Sequence, residues 1–411
     1  THRTYNAAEL KEEAMLQAEL SIKGLRRCRL MLGTDRRVLI DACRKARQAQ
    51  TPGALKALQR DFYIVERALI SLEDAERMRL PVLVHGSHAG LPRAYGIAAS
   101  LVGSKDGRID ANALSRYLDA YQSVTPLTMA EIRALRSMLT AALIKLLSVE
   151  CARALDGLKA EEGAEAIAEQ LDRSRFGRRQ GGAGEKLNLG DNAFLVERLY
   201  TIMSEKDMEQ GIRELKTRLE LEDREIEELC ARARSERAKG TRRMQNAIHS
   251  LRVISAMDWD AVFEQHSHVH RELLRDETYC RMESRSRGYY RECVERLAAA
   301  LGAAETVIAR HAVQLAVGKE GKQAEAGYYL FLNGREQMYA ELRPDKRFKK
   351  PMEGRTLRNF ITAEVIIALL LIWLAATEGI APLVLALIPA WSIAGMLCVR
   401  AFMVKAPIRY I

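Results

Sequence analysis

The sequence predicts an all-α protein: a multi-helix cytoplasmic region followed by a two-span transmembrane helical hairpin. Three observations predict it. Apolar residues recur at helical spacing through most of the first 340 positions, while only 9 of the 411 residues are Pro and 6% are aromatic. Two runs near the C-terminus, Val365–Ala376 and Gly379–Val399, carry no charge. A span of ~20 apolar residues matches the ~30 Å hydrocarbon core of a bilayer. Basic residues crowd the flanks of that pair of runs.

The elements follow in order. Residues 5–50 read as helices, punctuated by Thr51, Pro52 and Gly53. Ala54–Met78 continues as a helix, with Leu58, Phe62, Val65, Leu69 and Leu72 along one face. Pro81–Leu91 is Gly-rich and aperiodic, and reads as an ordered loop. Arg93–Val102 and Ala111–Val124 are helical, the second with Asp110 as its N-cap. Thr128 followed by Glu131 is a capping box, and it opens a helix expected to reach Leu158. Residues 159–190 turn Ala-, Gly- and charge-rich and read as a flexible linker. From Asn192 to Ala238 helices return with charge pairs four apart. Helices at Met244–Ile254, Ala261–Leu274, Tyr289–Ala300 and Ala303–Val317 follow, with a break at Asp258–Trp259. No segment shows convincing strand alternation.

This gives an N-terminal helical region at 1–158, a linker at 159–190 and a second helical region at 191–342. A basic juxtamembrane collar at 343–358, spans at 359–376 and 380–404, and a stub at 405–411 complete the chain. The collar holds Arg343, Lys346, Arg347, Lys349, Lys350, Arg355 and Arg358, and Arg400, Lys405 and Arg409 follow the second span. Basic flanks stay cytoplasmic, so both ends of the hairpin are expected on that side, with the lipid bilayer as a partner. Thr1–Leu20 is polar and charged, unlike a secretory signal.

The formal net charge of +10 does not by itself indicate nucleic acid, because much of it lies in the collar and in Arg173–Arg179. The seven cysteines are odd in number and scattered, which suits a reducing compartment and opposes a disulfide framework or a structural zinc site. His266, His268 and His270 share a face only on a strand; on a helix His266 and His270 keep an i,i+4 spacing that zinc can use, but no acidic or Cys ligand is placed with them, and they read as a solvated face. Asp106–Asp110 lacks the full calcium-loop pattern and reads as a turn ahead of the Asp110 cap. Gly177–Gly184 follows no strand and carries no lysine–hydroxyl pair of a phosphate loop. The chain shows no catalytic constellation of its own, no metal site and no cofactor site.

Two stretches are long and distinctive. One is His85-Gly-Ser-His-Ala-Gly-Leu-Pro-Arg-Ala-Tyr-Gly-Ile-Ala98, then Gly107–Asp110, then Tyr121–Thr128. The other is Asn246–Trp259, then Tyr279–Met282, Tyr289–Arg291 and Gly327–Leu330. Over about residues 55–340 these resemble, in the same order, the N-terminal region of the bacterial cyclic β-1,2-glucan synthases, large inner-membrane proteins. The resemblance implies a helical cytoplasmic region, membrane spans and then a processive glucosyltransferase domain that uses UDP-glucose with a divalent metal. It also implies a bacterial inner-membrane location with the soluble part cytoplasmic. The chain stops where that transferase domain would begin, so no catalytic residue of the family carries over. The resulting expectation is a non-catalytic scaffold or anchor that works beside a glycosyltransferase domain in cis or in trans. The alternative is a stand-alone membrane-anchored scaffold or regulator. Candidate contacts to a partner domain or to β-1,2-glucan are Arg93, Tyr95, Tyr328 and Tyr329. Against these stand local pairing for Arg93, core packing for Tyr95, and packing of both other tyrosines under a helix.

Overall fold

A computed structural model describes residues 6–19, 22–28, 30, 32–47, 53–73, 75, 78–173 and 193–344. The chain divides into two compact units, Thr1–Gly334 and Arg335–Ile411. In the second unit the described element is one short helix, Arg335–Leu342.

The first unit opens with α1 (Ala7–Ala18), whose N-terminus is closed by a capping box between Asn6 and Glu9. Strand β1 (Ile22–Arg27) follows, then α2 (Gly33–Ala46), α3 (Gly53–Ser71) and β2 (Arg79–Leu83). Next come α4 (Arg93–Ser104), α5 (Ala111–Gln122), the 45-residue α6 (Met129–Arg173), α7 (Ala193–Glu205), α8 (Glu209–Leu219) and the 34-residue α9 (Asp223–Ala256). Shorter helices complete the unit: α10 (Trp259–His266), α11 (His268–Leu273), α12 (Glu277–Arg281), α13 (Ser284–Leu301), α14 (Glu305–Ala316) and α15 (Ala326–Phe331).

The expectation of an all-α fold with a membrane hairpin needs two corrections. First, β1 and β2 form a two-stranded antiparallel sheet, with Ile22 opposite Leu83 and Arg27 opposite Arg79. Its register shifts between Lys23 and Leu25. Pro81, which cannot donate to a ladder, sits opposite Leu25. The segment read as pure loop thus begins as a strand, and Leu80 to Leu83 are all buried, so no alternation is visible. Second, among the described residues no helix is long and apolar enough to cross a membrane, so the two-span hairpin is not supported. The segment that suggested it, 359–404, lies outside the described residues, as do the collar from 345 onward and Gly177–Gly184.

The helices pack as two hydrophobic zones along the α6–α9 pair. The first half of α6 buries Ile132, Leu135, Leu139, Leu143, Leu147 and Cys151, spaced three and four apart. Helix α6 packs on α4, α2 and α9, and α9 buries Met244, Ile248 and Leu251. The second half buries Ala164, Ala168 and Leu171 against Val196, Leu199, Ile202 and Met203 of α7, Leu215 of α8, and Ile226 and Cys230 of α9. At 1.5 Å per residue α6 is roughly 68 Å long, so it crosses position 158 and carries the expected linker's first residues as helix.

Helix α9 is likewise unbroken where the sequence suggested two helices. Gly240 lies in its interior because α6 comes close there: a Cβ would stand 2.9 Å from Glu150 Oε2. Conversely, the single helix expected over Ala261–Leu274 is two. Ser267 adopts φ −78, ψ 112, ends α10 and caps α11 by accepting from His270 N at 3.2 Å.

Candidate functional site

Among the described residues of the first unit, three buried polar clusters use residues of the two distinctive stretches. The first cluster pins the α4–α5 turn to α9. Gly107, at φ 78, has a conformation that side chains rarely adopt, and a Cβ there would meet Leu146 Cδ2 at 2.8 Å. Ser250 Oγ accepts from Ile109 N at 2.7 Å and donates to Gly107 O at 2.8 Å. Asn246 Nδ2 donates to Asp106 O at 3.0 Å. Arg243 Nε reaches Asp106 Oδ1 at 3.0 Å, and its Nη1 reaches Glu150 Oε1 at 3.3 Å. Asp106 is thereby committed to an arginine, which opposes a calcium role.

The second cluster surrounds Arg93. Pro92 precedes α4, and the first helical residue turns its guanidinium inward. Nε donates to Glu131 Oε1 at 2.7 Å, and Nη2 donates to Glu131 Oε2 at 2.5 Å and to Pro126 O at 3.3 Å. The two side chains are 3% and 0% exposed, so Arg93 presents no cation to a partner. Burial disfavours its charge, but the bonds and charge of Glu131 more than offset that and hold its pKa above the ordinary value. Glu131 also accepts from Thr128 N at 3.0 Å, the reciprocal half of the capping box that opens α6. Tyr121 lies buried beside the pair, and burial pushes its phenol up to about 12. Tyr95 is buried too, edge-on to His88 at 5.7 Å.

The third cluster joins α10 to α15. Arg291 lies over the Phe263 ring, 4.9 Å from its centroid, and Arg287 lies over Tyr279 at 5.8 Å. Arg287 Nη2 donates to Cys280 O at 2.7 Å. Both guanidiniums face Glu264: Arg291 Nη1 is 3.5 Å and Arg287 Nη1 is 3.7 Å from Oε1. His270 Nε2 is 3.9 Å from the other carboxylate oxygen, and its Nδ1 bonds the Tyr279 hydroxyl at 2.9 Å. Burial lowers the His270 pKa, an effect Glu264 opposes and the two arginines reinforce. Buried Asp276 caps α12 through Tyr279 N at 2.9 Å and also accepts from Ala326 N.

The aromatic residues here close on one another. Tyr290 meets Phe331 at 5.1 Å and Tyr279 at 5.6 Å. A Cβ at Gly327 would collide with the Tyr290 ring and with Phe331 Cζ, so α15 is seated by the lack of a side chain. Tyr329 is 1% exposed and packs edge-on against half-buried Tyr328 at 5.2 Å. Of Tyr328 and Tyr329, both candidate contacts to a partner domain or to β-1,2-glucan, only Tyr328 keeps accessible surface.

The histidines are placed differently from the solvated face expected of them. His266 and His270 are buried, because the break at Ser267 redirects the chain between them. His266 Nδ1 stands 3.1 Å from Asp119 Oδ1 on α5, and Gln122 Nε2 donates to the His266 carbonyl at 2.9 Å. Among the described residues no group of three or more His, Cys, Asp or Glu is arranged to hold a metal ion.

These clusters define a helical domain whose internal charges are largely committed to cross-links between elements. No family model matches the chain. A curated relative, the cyclic β-(1,2)-glucan synthase NdvB of Rhizobium meliloti (strain 1021), is 26% identical over 263 residues. That match covers 62% of this chain and 9% of the relative, so the chain spans a small part of the relative's length. It supports a distant relation to the cyclic β-1,2-glucan synthases.

Proposed function

We propose that this chain is a non-catalytic supporting part of a cyclic β-1,2-glucan synthase, corresponding to its N-terminal region. In this reading it docks beside a UDP-glucose-dependent glucosyltransferase domain, in cis or in trans, and holds that domain in its working position. UDP-glucose and the divalent metal belong to the transferase domain, and β-1,2-glucan is a candidate partner of the assembly. The observation that carries the reading is the similarity to NdvB over 263 residues. The internal structure favours support over chemistry. The quoted stretches supply Arg93, Asn246, Ser250, Tyr279, Tyr290 and Gly327, and each of these joins one element to another.

The test is reconstitution. Cyclic glucan synthesis from UDP-glucose is measured in cells that carry the transferase domain with and without this chain. Synthesis is expected to fall when the chain is deleted and to return when it is supplied in trans. Unchanged synthesis on deletion refutes the supporting role. Glucan made from UDP-glucose by the purified chain alone refutes the non-catalytic one.

A further inference from the structure

The cluster around Glu264 differs from the other two in how its charges meet. Arg93 and Glu131 are in direct contact at 2.5–2.7 Å. Around Glu264 the three nitrogens stand at 3.5, 3.7 and 3.9 Å, beyond the 2.7–3.2 Å range of a good N–H···O bond. Arg291 Nη1 is buried and makes no hydrogen bond, although the Arg291 side chain is only 10% exposed. A buried donor left in this way is costly and is normally satisfied. The cluster also carries unbalanced charge: two guanidiniums face one carboxylate, with His270 beside them. The basic groups are held independently of that carboxylate. Arg287 is fixed by the Cys280 carbonyl and the Tyr279 ring, Arg291 by the Phe263 ring, and His270 by the Tyr279 hydroxyl. Glu264, by contrast, is 31% exposed and, among the described residues, receives nothing closer than these three nitrogens. It can swing toward solvent and leave the donors in place.

We propose that Arg287, Arg291 and His270 form a receptor for a phosphate-class oxyanion, which Glu264 occupies loosely in the free protein. Guanidinium groups pair with phosphate oxygens through parallel N–H donors, and a tetrahedral dianion spans several donors better than one flat carboxylate does. Arg287, 21% exposed, provides the open side. Two sources present this chemistry, a free phosphate or phosphomonoester and a phosphomonoester lipid headgroup.

The experiment titrates the full chain with inorganic phosphate, followed by calorimetry, at constant ionic strength set with chloride. The wild type is expected to bind, and Glu264→Gln, which removes the competing anion, to bind on the order of fivefold tighter. Arg291→Gln is expected to lose binding. The gain in Glu264→Gln is the decisive arm, because a misfolded variant does not gain affinity. Sedimentation with phosphatidylcholine vesicles, with and without phosphatidic acid, separates the sources. Capture that depends on phosphatidic acid and is strengthened by Glu264→Gln assigns the headgroup. If neither phosphate nor phosphatidic acid vesicles bind the wild type or Glu264→Gln, or if Glu264→Gln leaves affinity unchanged, the receptor is refuted.

Discussion

Replacing Glu131 with Ala leaves Arg93 as an uncompensated buried charge. The pair is bidentate, with side chains 3% and 0% exposed, so solvent cannot rescue the guanidinium without opening the α4–α6 interface. Breaking a buried pair from one side costs about 3–5 kcal/mol. Glu131 also accepts from Thr128 N, and loss of this cap adds about 1 kcal/mol. Glu131→Ala should therefore destabilise by about 4–6 kcal/mol, a large share of the ~5–15 kcal/mol typical of a folded domain. Arg93→Met leaves the carboxylate unpaired instead and should cost about 3–5 kcal/mol. The double variant Arg93→Met/Glu131→Leu buries two apolar side chains in place of two charges and should be less destabilised than either single variant. Urea unfolding followed by circular dichroism reads all three. If each single substitution costs under about 1 kcal/mol, the pair is not the buried clamp described. Arg93 would then be free to serve a partner, as the sequence alone allowed.

Further outcomes follow from the same contacts. Ser250→Ala removes the acceptor for Ile109 N and the donor to Gly107 O, and should lower stability by about 1–3 kcal/mol in the same urea assay. Gly240→Ala should gain up to about 1 kcal/mol of helix propensity yet destabilise overall, because the added Cβ, 2.9 Å from Oε2, displaces the buried Glu150 carboxylate from Arg243 and Arg153; a rise in melting temperature would show that Glu150 yields without losing those partners. His266, His268 and His270 all have pKa values lowered by burial from 6.5. The unfolded chain then binds more protons than the folded one as pH falls below 6.5, so stability should drop from there down through the lowered folded values. Thermal melts between neutral and mildly acidic pH check this, and His270→Gln should flatten the profile.

What could be read in the sequence was local. Asp110 caps α5 through Ala113 N, and Thr128 with Glu131 opens α6, both from side chains within three residues of the groups they satisfy. What could not be read depended on distant partners. Ile22–Arg27 continues a helical pattern and becomes a strand only because Arg79–Leu83 lies alongside it. Gly240 looks like a helix breaker until Glu150, on another helix, is seen to fill the space above it. The inward turn of Arg93 is decided by a carboxylate 38 residues away. Arg287 and Arg291, four apart between Tyr279 and the aromatic α15, were a legible signal that one helix face carries two cations. That Glu264 stands opposite them depends on the break at Ser267.

The quoted stretches meet across the fold. Gly107 and Ile109 of the first are held by Ser250 of the second, and Gln122 of the first donates to the carbonyl of His266, just beyond Trp259. A substitution on either side leaves a buried polar group without its partner, so each stretch constrains the other. Such mutual constraint is what the proposed supporting role requires. Around Glu264 the contacts are looser, with Arg291 and Arg287 at 3.5 and 3.7 Å, and it is on this looseness that the proposed anion receptor rests.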